Sequence, residues 1–588
     1  MPFFRKRQAP RQALAATFAL LLAACAVAQV SESPIIRYQD TAHPVYGASG
    51  MVASQNRYAS QAGADVLAAG GNAVDAAIAV SFSLAVTLPR AGNLGGGGFM
   101  LIHDSKTGDN TSIDYREMAP AGATRDMYLD EDGNVDRGRA MFSHLAAGVP
   151  GTVAGLYHAH RQFGRLPWKR LLEPAIAQAR HGVPVSFDLS ILLKSRQSRM
   201  CPNEATCGYF YKEGGVPYEP GELLVQSDLA DTLERIANDG ADGFYKGKTA
   251  RLIIDEMTRG GGLIDPESLA AFRAVNREPV SGTYRGYEVV TMPPPSSGGI
   301  HVLQMLNILE HFPVAELGAG SADSVHLLAE VARLAYADRS EHLGDPDFYD
   351  VPVEWLVSKE YGKELAATID MQAARKSADV APGIAPYPES PDTTHFSVID
   401  ADGNIVATTT TLNFSFGSGI SVAGAGFLLN NEMDDFVSKP GVPNAYGLLG
   451  GEANSIAAGK RPLSSMTPTI VLSDGQPWFA TGSPGGSRII TSVLQMIVNV
   501  IDHGMNLAEA VNAPRMHHQW MPDVLQLESG FSPDTVRLLR ERGHEVREAR
   551  YSMGSIQAVG FREGVFRGAS DPRRPNAASV SPAAPAEH

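Results

Sequence analysis

The chain has 588 residues, with 49 Lys and Arg against 64 Asp and Glu, so its formal charge is −15. A hydrophobic fraction of 44% excludes intrinsic disorder and is enough for a large core. The acidic balance argues against nucleic acid as the main partner, because phosphate binding needs a basic surface. At about 150 residues per domain, the length predicts three or four domains.

Residues 1–28 are predicted to be a secretory signal peptide. A basic start is followed by the apolar run 13–28, which is short for a membrane span and ends in small residues. Cleavage after the AVA triplet at 26–28 would start the mature chain at Gln29. The LAAC motif at 22–25 supports a second interpretation, a lipoprotein signal with Cys25 lipidated. The first interpretation predicts a periplasmic or secreted protein, and the second predicts a lipid-anchored one.

Cys201 and Cys207 are the only cysteines beyond Cys25. In an oxidising compartment, two cysteines this close along the chain are typical of a local disulfide. Two free thiols are the alternative. A metal site is not expected here, because no His or second Cys pair lies nearby in the sequence.

The hydrophobic pattern predicts a largely helical first part of the chain. Residues 46–87 are predicted to form two helices around Gly70-Gly71, with 73–88 as a buried core helix. Residues 99–102 and 112–115 are predicted to form a hairpin, and 150–345 to be mostly helical. The proline-rich stretch 381–392 is predicted to be an exposed linker.

Strands dominate the predicted structure after this linker. Residues 395–413 are strand-like, 467–480 are predicted to form a hairpin, and 487–502 an amphipathic helix. The tail 575–588 is predicted to be frayed. Together the elements predict sheets covered by helices.

The first candidate site is Thr393, in a TTH triplet directly after the linker. If the chain were cut before Thr393, its own α-amine could act as the base for its hydroxyl, since an α-amine has a pKa of about 7.7–8. The alternative is an ordinary strand threonine. A hairpin centred on Asp402 would place Thr393 opposite Thr411, within hydrogen-bond reach, with Asn413 two residues further on the same side of the strand.

The second candidate is the glycine pair Gly485-Gly486, between a predicted strand and a predicted helix. The first amides of a helix lack intrahelical partners, so this turn could form an oxyanion hole. A plain strand-to-helix turn is the alternative.

Three further segments carry polar side chains suited to an amino acid ligand. Arg116 could hold a carboxylate, or it could pair with Glu117. The acidic loop 430–435 could bind an ammonium group, or be a solvated turn or a calcium site without EF-hand spacing. The hydroxyls of Ser464 and Ser465 could cradle a carboxylate. The adjacent His517 and His518 lack the spacing of a helical zinc site and are interpreted as packing.

Ordered blocks of sequence resemble the gamma-glutamyltransferase (gamma-glutamyltranspeptidase) family, in its exported bacterial form. PDTTHFSVID, TTTTLNFSFGSG, LLNNEMDDF, KPGVPNAYGLLGG, KRPLSSMTPTI and TGSPGGSRIITSVLQM resemble its small subunit. GGNAVDAAIAV, GNLGGGGFM, IDYREMAP, GVPGTVAGL and MPPPSSGGIH resemble its large subunit. The resemblance covers residues 40–572.

The resemblance implies an α+β N-terminal nucleophile (Ntn) hydrolase fold, a four-layer αββα sandwich. It implies a precursor that cuts itself between Asp392 and Thr393. The large subunit would be residues 29–392 and the small subunit residues 393–588, and both would form one domain. It implies neither a metal nor an organic cofactor.

The resemblance also implies roles for site residues. Thr393 would be the nucleophile, oriented by Thr411, and the amides of Gly485 and Gly486 the oxyanion hole. The α-carboxylate of a γ-glutamyl group would be bound by Arg116, Ser464 and Ser465. Its α-ammonium group would be bound by Asn413, Glu432 and Asp435. The segment 439–451 resembles a lid loop with Tyr446 as its gate.

The implied reaction is ping-pong transfer of the γ-glutamyl group from glutathione or a related compound. The acceptor would be water, an amino acid or a dipeptide. Two alternatives are a related acylase acting on β-lactam nuclei, which needs no ammonium site, and a non-catalytic envelope protein. The latter predicts loss of Thr393 or of the glycine pair, and both are present.

Overall fold

The computed structural model describes residues 36–37, 39–380 and 393–583. The predicted signal peptide at 1–28, the lipidation site Cys25, the linker 381–392 and the cleavage residue Asp392 lie outside the described residues. Packing separates the chain into the units Met1–Thr41 and Ala42–His588. In the first, the Asp40 amide donates to the Arg37 carbonyl at 3.1 Å. The second replaces the three or four domains that the length predicts.

The α-helices occur along the whole described chain. In chain order they are α1 (Arg57–Ala68), α2 (Ala73–Thr87), α3 (Arg137–Phe142), α4 (Thr152–Phe163), α5 (Trp168–His181), α6 (Phe187–Met200), α7 (Glu204–Phe210), α8 (Ser227–Asp239), α9 (Asp242–Tyr245), α10 (Gly247–Gly260), α11 (Pro266–Ala271), α12 (Gly298–Leu309), α13 (Val314–Leu317), α14 (Ala322–His342), α15 (Val353–Leu356), α16 (Lys359–Ala366), α17 (Arg488–Ile501), α18 (Leu507–Asn512) and α19 (Pro533–Glu541). Short 3₁₀ turns include Glu432–Asp435 and Glu452–Asn454.

The strands also occur along the whole described chain, and those between residues 183 and 224 have only two residues each. They are β1 (Val45–Gly47), β2 (Gly50–Ser54), β3 (Gly97–His103), β4 (Asn110–Asp114), β5 (Val183–Pro184), β6 (Tyr211–Lys212), β7 (Val216–Pro217), β8 (Leu223–Leu224), β9 (Val275–Arg277), β10 (Val280–Tyr284), β11 (Tyr287–Thr291), β12 (Thr393–Asp400), β13 (Ile405–Thr411), β14 (Thr469–Ser473), β15 (Gln476–Thr481), β16 (Met516–His517), β17 (Leu525–Leu527), β18 (Val546–Glu548), β19 (Gln557–Arg562), β20 (Val565–Ser570) and β21 (Ala578–Val580).

Two seven-stranded sheets form the centre of the second unit. One has the strand order β21-β2-β12-β13-β3-β4-β9, and the other β1-β20-β19-β15-β14-β11-β10. Apolar side chains from both sheets, among them Met51, Leu101 and Ile399 from the first and Ile470 and Val559 from the second, pack in one buried cluster. The sheets are therefore stacked face to face.

Helices cover the outer face of each sheet. The first sheet shares a buried cluster with α1, α2, α4, α5 and α8. The second shares one with α12, α14, α17 and α18. The predicted four-layer αββα arrangement is thereby confirmed, and residues 393–411 lie in an inner layer.

Helix α2 is buried on all sides, which explains why residues 73–88 are mostly apolar around the whole helix. All of its side chains are buried. Asn72 caps its start, because its side chain accepts from the Asp75 amide at 2.9 Å while the Asp75 carboxylate accepts from the Asn72 amide at 3.2 Å. The predicted buried core helix is confirmed. Among the described residues, we find no helix that combines the length and the apolar character needed to cross a membrane.

Two secondary-structure predictions were wrong. Residues 46–56 were predicted to be helical, but Gly50–Ser54 forms a buried strand between β12 and β21. A short apolar run does not by itself distinguish a buried strand from a helix. Residues 575–583 were predicted to be frayed, but Ala578–Val580 pairs with Val52–Ser54, and Ser60 Oγ donates to the Ala578 carbonyl at 2.7 Å.

Candidate active site

The β12–β13 hairpin brings Thr393 and Thr411 together. The strands are antiparallel, and Thr393 pairs with Thr411, which confirms the register predicted from a centre at Asp402. The turn is held by Asp400, whose Oδ1 accepts from the amides of Asp402 and Asn404, both at 3.0 Å. The hydroxyl oxygens of Thr393 and Thr411 lie 3.3 Å apart.

Neighbouring side chains of the hairpin have a different environment. The Thr394 hydroxyl is buried and has no hydrogen-bond partner within the described part of the chain. The His395 ring lies 2.8 Å from Thr409 Oγ1 and 2.9 Å from Ser397 Oγ. Burial lowers the pKa of His395 to about 3, so its imidazole is neutral. Its hydrogen bond with Thr409 links the two strands.

A pocket opens beside the two threonines. Every residue predicted for catalysis or substrate binding lines it, except Gly485. These are Arg116, Thr393, Thr411, Asn413, Glu432, Asp435, Tyr446, Ser464, Ser465 and Gly486. Leu448 from the predicted lid segment 439–451 also lines the pocket, and the further lining residues are Arg339, Leu463, Met466, Ser487 and Ile489.

Arg116 is the central cation of this pocket. It follows β4, where its amide donates to Asp114 Oδ1 at 2.9 Å, and its Nε donates to the Pro462 carbonyl at 3.2 Å. Its two terminal nitrogens donate to Glu432 and Asp435. Burial alone would lower the pKa of Arg116, but these carboxylates raise it above its usual value. Arg116 and the acidic loop thus form one buried charge cluster.

Glu432 and Asp435 occupy the 3₁₀ turn Glu432–Asp435. The Asn430 side chain fixes this turn, because its Oδ1 accepts from the Glu432 amide at 3.0 Å and from the Gly148 amide at 2.9 Å. Burial raises the pKa of both Glu432 and Asp435. A cationic ligand group would offset this cost, which makes the turn suited to an ammonium group.

Asn413 lies beyond the end of the strand on which it was predicted. Strand β13 ends at Thr411, and Asn413 has a left-handed backbone with φ of +72°. Asn413 is therefore not part of the strand, but its side chain lines the same pocket as Thr411. Its Nδ2 donates to the Asn431 carbonyl at 2.9 Å, and its Oδ1 accepts from the Tyr446 hydroxyl. Tyr446 thereby closes over Asn413.

Ser464 and Ser465 also line the pocket. The Ser464 amide donates to the Pro295 carbonyl at 2.8 Å, and its carbonyl accepts from the Ser297 amide at 2.8 Å. Ser465 Oγ accepts from Arg339 at 3.4 Å, and Arg339 Nε donates to Ser297 Oγ at 3.0 Å. Burial lowers the pKa of Arg339 to about 10. No local pattern distinguishes this arginine from others in the helical region.

Gly485 and Gly486 precede α17 and have φ of +137° and +56°. Their carbonyls accept from the amides of Arg488 at 3.1 Å and Ile489 at 3.2 Å. A Cβ on Gly486 would lie 2.6 Å from the Tyr446 ring. Both the backbone angle and the close approach of this ring require glycine at 486.

Two other predicted features lie outside the pocket lining. Cys201 and Cys207 form a disulfide in the structure, with their Cα atoms 4.4 Å apart. The rings of His517 and His518 are buried, and His517 lies 2.8 Å from both Thr491 Oγ1 and Gln519 Oε1. These contacts are packing and hydrogen bonding, as interpreted from the sequence.

Within the described residues, one group has three side chains of metal-ligand type close together, namely His326, Glu330 and His544. The facing ring nitrogens of His326 and His544 lie 2.7 Å apart, and Glu330 pairs with Arg333. Ordinary hydrogen bonds and an ion pair therefore account for this group.

Comparisons with known proteins agree with this geometry. The gamma-glutamyltranspeptidase family model matches residues 59–581. The glutathione hydrolase proenzyme of Escherichia coli K12 is 55% identical over 562 residues, which are 94% of this chain and 96% of that protein. A cephalosporin acylase structure from Bacillus halodurans has a TM-score of 0.81 at 28% identity, covering 94% of this chain and 99% of that one. The Helicobacter pylori gamma-glutamyltranspeptidase structure has a TM-score of 0.56 at 42% identity, covering 59% and 97%.

Proposed function

Since this chain belongs to the gamma-glutamyltranspeptidase family, and by that membership is a glutathione hydrolase and gamma-glutamyltransferase of the Ntn-hydrolase fold, we propose that Thr393 is its nucleophile. The observation that carries the proposal is the position of Thr393. It lies at the edge of the pocket, 3.3 Å from the Thr411 hydroxyl and in the same cavity as the buried charges of Arg116, Glu432 and Asp435.

The precursor is cut into two subunits, and we place the cut between Asp392 and Thr393. The Thr393 hydroxyl attacks the carbonyl of the preceding residue, and the acyl group moves from the Thr393 nitrogen to its oxygen as an ester. Water then cleaves the ester. This frees the Thr393 α-amine and leaves residues 29–392 and 393–588 as separate chains. The new amine has a pKa suited to accept the proton of the neighbouring hydroxyl.

Charge complementarity orients the donor substrate. Its α-carboxylate binds Arg116 with the hydroxyls of Ser464 and Ser465, and its α-ammonium group binds Glu432, Asp435 and Asn413. The γ-carbonyl is then presented to Thr393. The amides of Gly485 and Gly486 stabilise the oxyanion of the tetrahedral intermediate, and Tyr446 closes the pocket.

The reaction proceeds through a γ-glutamyl ester on Thr393. When glutathione is the donor, cysteinylglycine leaves with the proton taken from the Thr393 hydroxyl. Water hydrolyses the ester to give glutamate, or the amine of an amino acid or dipeptide attacks it to give a new γ-glutamyl amide. The predicted signal at 1–28 makes this an exported activity, in the periplasm or outside the cell.

An acylase that acts on β-lactam nuclei is the second candidate, because a cephalosporin acylase structure is similar along nearly the whole chain. The buried acidic turn favours the first candidate, since an acyl group without an amine needs no such turn. Side-by-side assays with a γ-glutamyl amide and the matching glutaryl amide separate the two.

Denaturing electrophoresis with mass spectrometry tests the nucleophile. Wild-type protein should give two chains, with the smaller one starting at Thr393. Glutathione without an acceptor amine should add one γ-glutamyl group to that chain. Thr393→Ala should remain uncleaved and inactive, and Thr394→Ala, which removes a hydroxyl without a partner among the described residues, should be cleaved and active. An uncleaved but active Thr393→Ala protein would overturn the proposal.

A further inference from the structure

Glu117 is a buried carboxyl beside the pocket to which the mechanism above gives no role. Its side chain is 0% exposed. Neither of its carboxyl oxygens accepts a hydrogen bond of ordinary geometry from the described residues. The Arg116 guanidinium nitrogen Nη1 lies 3.7 Å from Glu117 Oε2, too far for a hydrogen bond. An ionised carboxyl in this position would be expensive.

The backbone around Glu117 leaves little space at this carboxyl. A Cβ on Gly97 would lie 2.7 Å from Glu117 Oε2, and one on Gly148 would lie 3.1 Å from Glu117 Cβ. Two glycines from different segments therefore let the main chain pack directly against Glu117. Main chain therefore encloses the Glu117 side chain on these two sides.

The neighbouring side chain within hydrogen-bonding contact of the Glu117 carboxyl is Glu432. Arg116 Nη1 donates to Glu432 Oε1 and also faces Glu117, so the two carboxyls converge on one guanidinium nitrogen. Glu432 Oε2 accepts no hydrogen bond from an amide, a guanidinium group or a hydroxyl of the described residues. Two carboxyls that share a buried site hold one proton between them, because both cannot ionise cheaply.

We propose that the carboxyls of Glu117 and Glu432 share one proton in a hydrogen bond, and that Glu117 thereby positions Glu432 for the α-ammonium group of the donor substrate. Glu117 is a positioning residue, since it acts through Glu432 and lies outside the pocket lining. The assignment rests on the proposed function for the identity of the donor. The protonation of Glu117 itself does not depend on that function.

The charges around the pair agree with one bound proton. Burial raises the pKa of Glu117 to about 7 and raises that of Glu432, while Arg116 acts against both shifts. Asp435 contributes a second carboxylate to the same guanidinium, and its charge also disfavours ionisation of Glu117. Glu117, Glu432, Asp435 and Arg116 therefore form one cluster in which the protonation of each carboxyl depends on the others.

Groups on other elements also face this cluster. Burial, and next the Glu117 charge, raise the pKa of Tyr115, and burial raises that of Tyr245 on α9, so both phenols remain neutral. Asp434, whose pKa burial raises to about 7, and Arg339 on α14 interact with the charge of Asp435. Loss of the Glu117 proton would add a negative charge that competes with the donor α-carboxylate for Arg116.

Kinetics of two variants of the mature enzyme test the role of Glu117. With a γ-glutamyl anilide as donor, the wild-type KM should rise as the pH increases above about 7. Glu117→Gln has a donor N–H in place of the carboxylic O–H, so its KM should stay within about threefold of the wild type at low pH and lose this rise. Glu117→Met has no donor, and its KM should be raised about tenfold or more with a smaller change in kcat. An unchanged pH profile in Glu117→Gln, or a wild-type KM in Glu117→Met, would overturn the inference.

Infrared difference spectroscopy supplies a readout that needs no turnover. The wild type at neutral pH should show C=O stretches of buried carboxylic acids, Asp434 among them, and Glu117→Gln should lose one component that shifts in D₂O. Glu256→Gln is the matched control, because Glu256 is buried but pairs with His144 at 2.8 Å, and it should retain every component. If Glu117→Gln retains every component, the inference is wrong even if the proposed function holds. If one component is lost but no γ-glutamyl activity exists, only the proposed function fails.

Discussion

Thr393 Oγ1 lies 3.3 Å from Thr411 Oγ1 across the β12–β13 hairpin, and Thr411 Oγ1 accepts a hydrogen bond from the Asn413 amide at 2.8 Å. Thr411 thus connects the first residue of β12 to the turn that carries Asn413. The Thr411 hydroxyl therefore contacts both the proposed nucleophile and the backbone of Asn413 in the proposed ammonium site.

Thr411→Val should lower kcat by about tenfold or more and leave the donor KM nearly unchanged. The substitution keeps the shape of the side chain but removes the hydrogen bond that orients Thr393, a loss of about 1–3 kcal/mol. Steady-state kinetics on fully cleaved protein would measure it. Thr408→Val is the matched control on the same strand, because the Thr408 hydroxyl is buried without a partner in the described chain. Equal effects of the two substitutions would contradict an orienting role for Thr411.

Arg116→Lys should reduce kcat/KM for γ-glutamyl donors by about 10- to 100-fold, mainly through KM. One ammonium group cannot reproduce the separate contacts that the guanidinium makes with Glu432, Asp435 and the Pro462 carbonyl. Arg125→Lys is the control, since Arg125 pairs with Glu452 at the surface at 2.9 Å and such pairs contribute little. A wild-type KM in Arg116→Lys would exclude the carboxylate-binding role.

Loss of the Cys201–Cys207 disulfide should destabilise the protein by about 2 kcal/mol, because the bond closes a short loop with a sequence separation of 6. We expect a lower urea midpoint for a Cys201→Ala/Cys207→Ala double variant and for reduced wild-type protein. Since the disulfide lies outside the pocket lining, the donor KM should stay the same. Coincident unfolding curves with and without reductant would contradict this prediction.

Because His301 is buried, the free energy of unfolding should decrease as the pH is lowered. Its ring is 0% exposed, and burial lowers its pKa to about 3, whereas an unfolded histidine titrates at about 6.5. Between these values the unfolded chain binds the extra proton, so the free energy of unfolding rises with pH by up to about 1.4 kcal/mol per unit for this group.

Urea unfolding at several pH values in this range would measure the slope. His301→Asn should make it shallower, whatever the variant does to stability at neutral pH. An unaltered slope would mean that His301 binds its proton equally in the folded and unfolded chains.

Structural features that depend only on residues adjacent in the sequence could be predicted from the sequence. The register of Thr393 against Thr411 follows from the turn around Asp402, which the Asp400 side chain holds. The buried helix α2 follows from a predominantly apolar run with Asn72 and Asp75 forming the cap at its start. The glycine pair before α17 is equally local. In each case a few adjacent residues determine the conformation, so the pattern was sufficient.

Contacts between distant segments were decided by the tertiary structure alone. The residue pattern by itself indicates Arg116 and the acidic loop as two separate binding elements. Only the folded structure shows that Arg116 pairs with Glu432, which is 316 residues away in the sequence. Arg339 reaches Ser465 from a helix 126 residues away, and Glu117 meets Glu432 through Arg116. Residue types reveal which charges are present. Their burial and pairing, and therefore their protonation, depend on which segments the stacked layers place side by side.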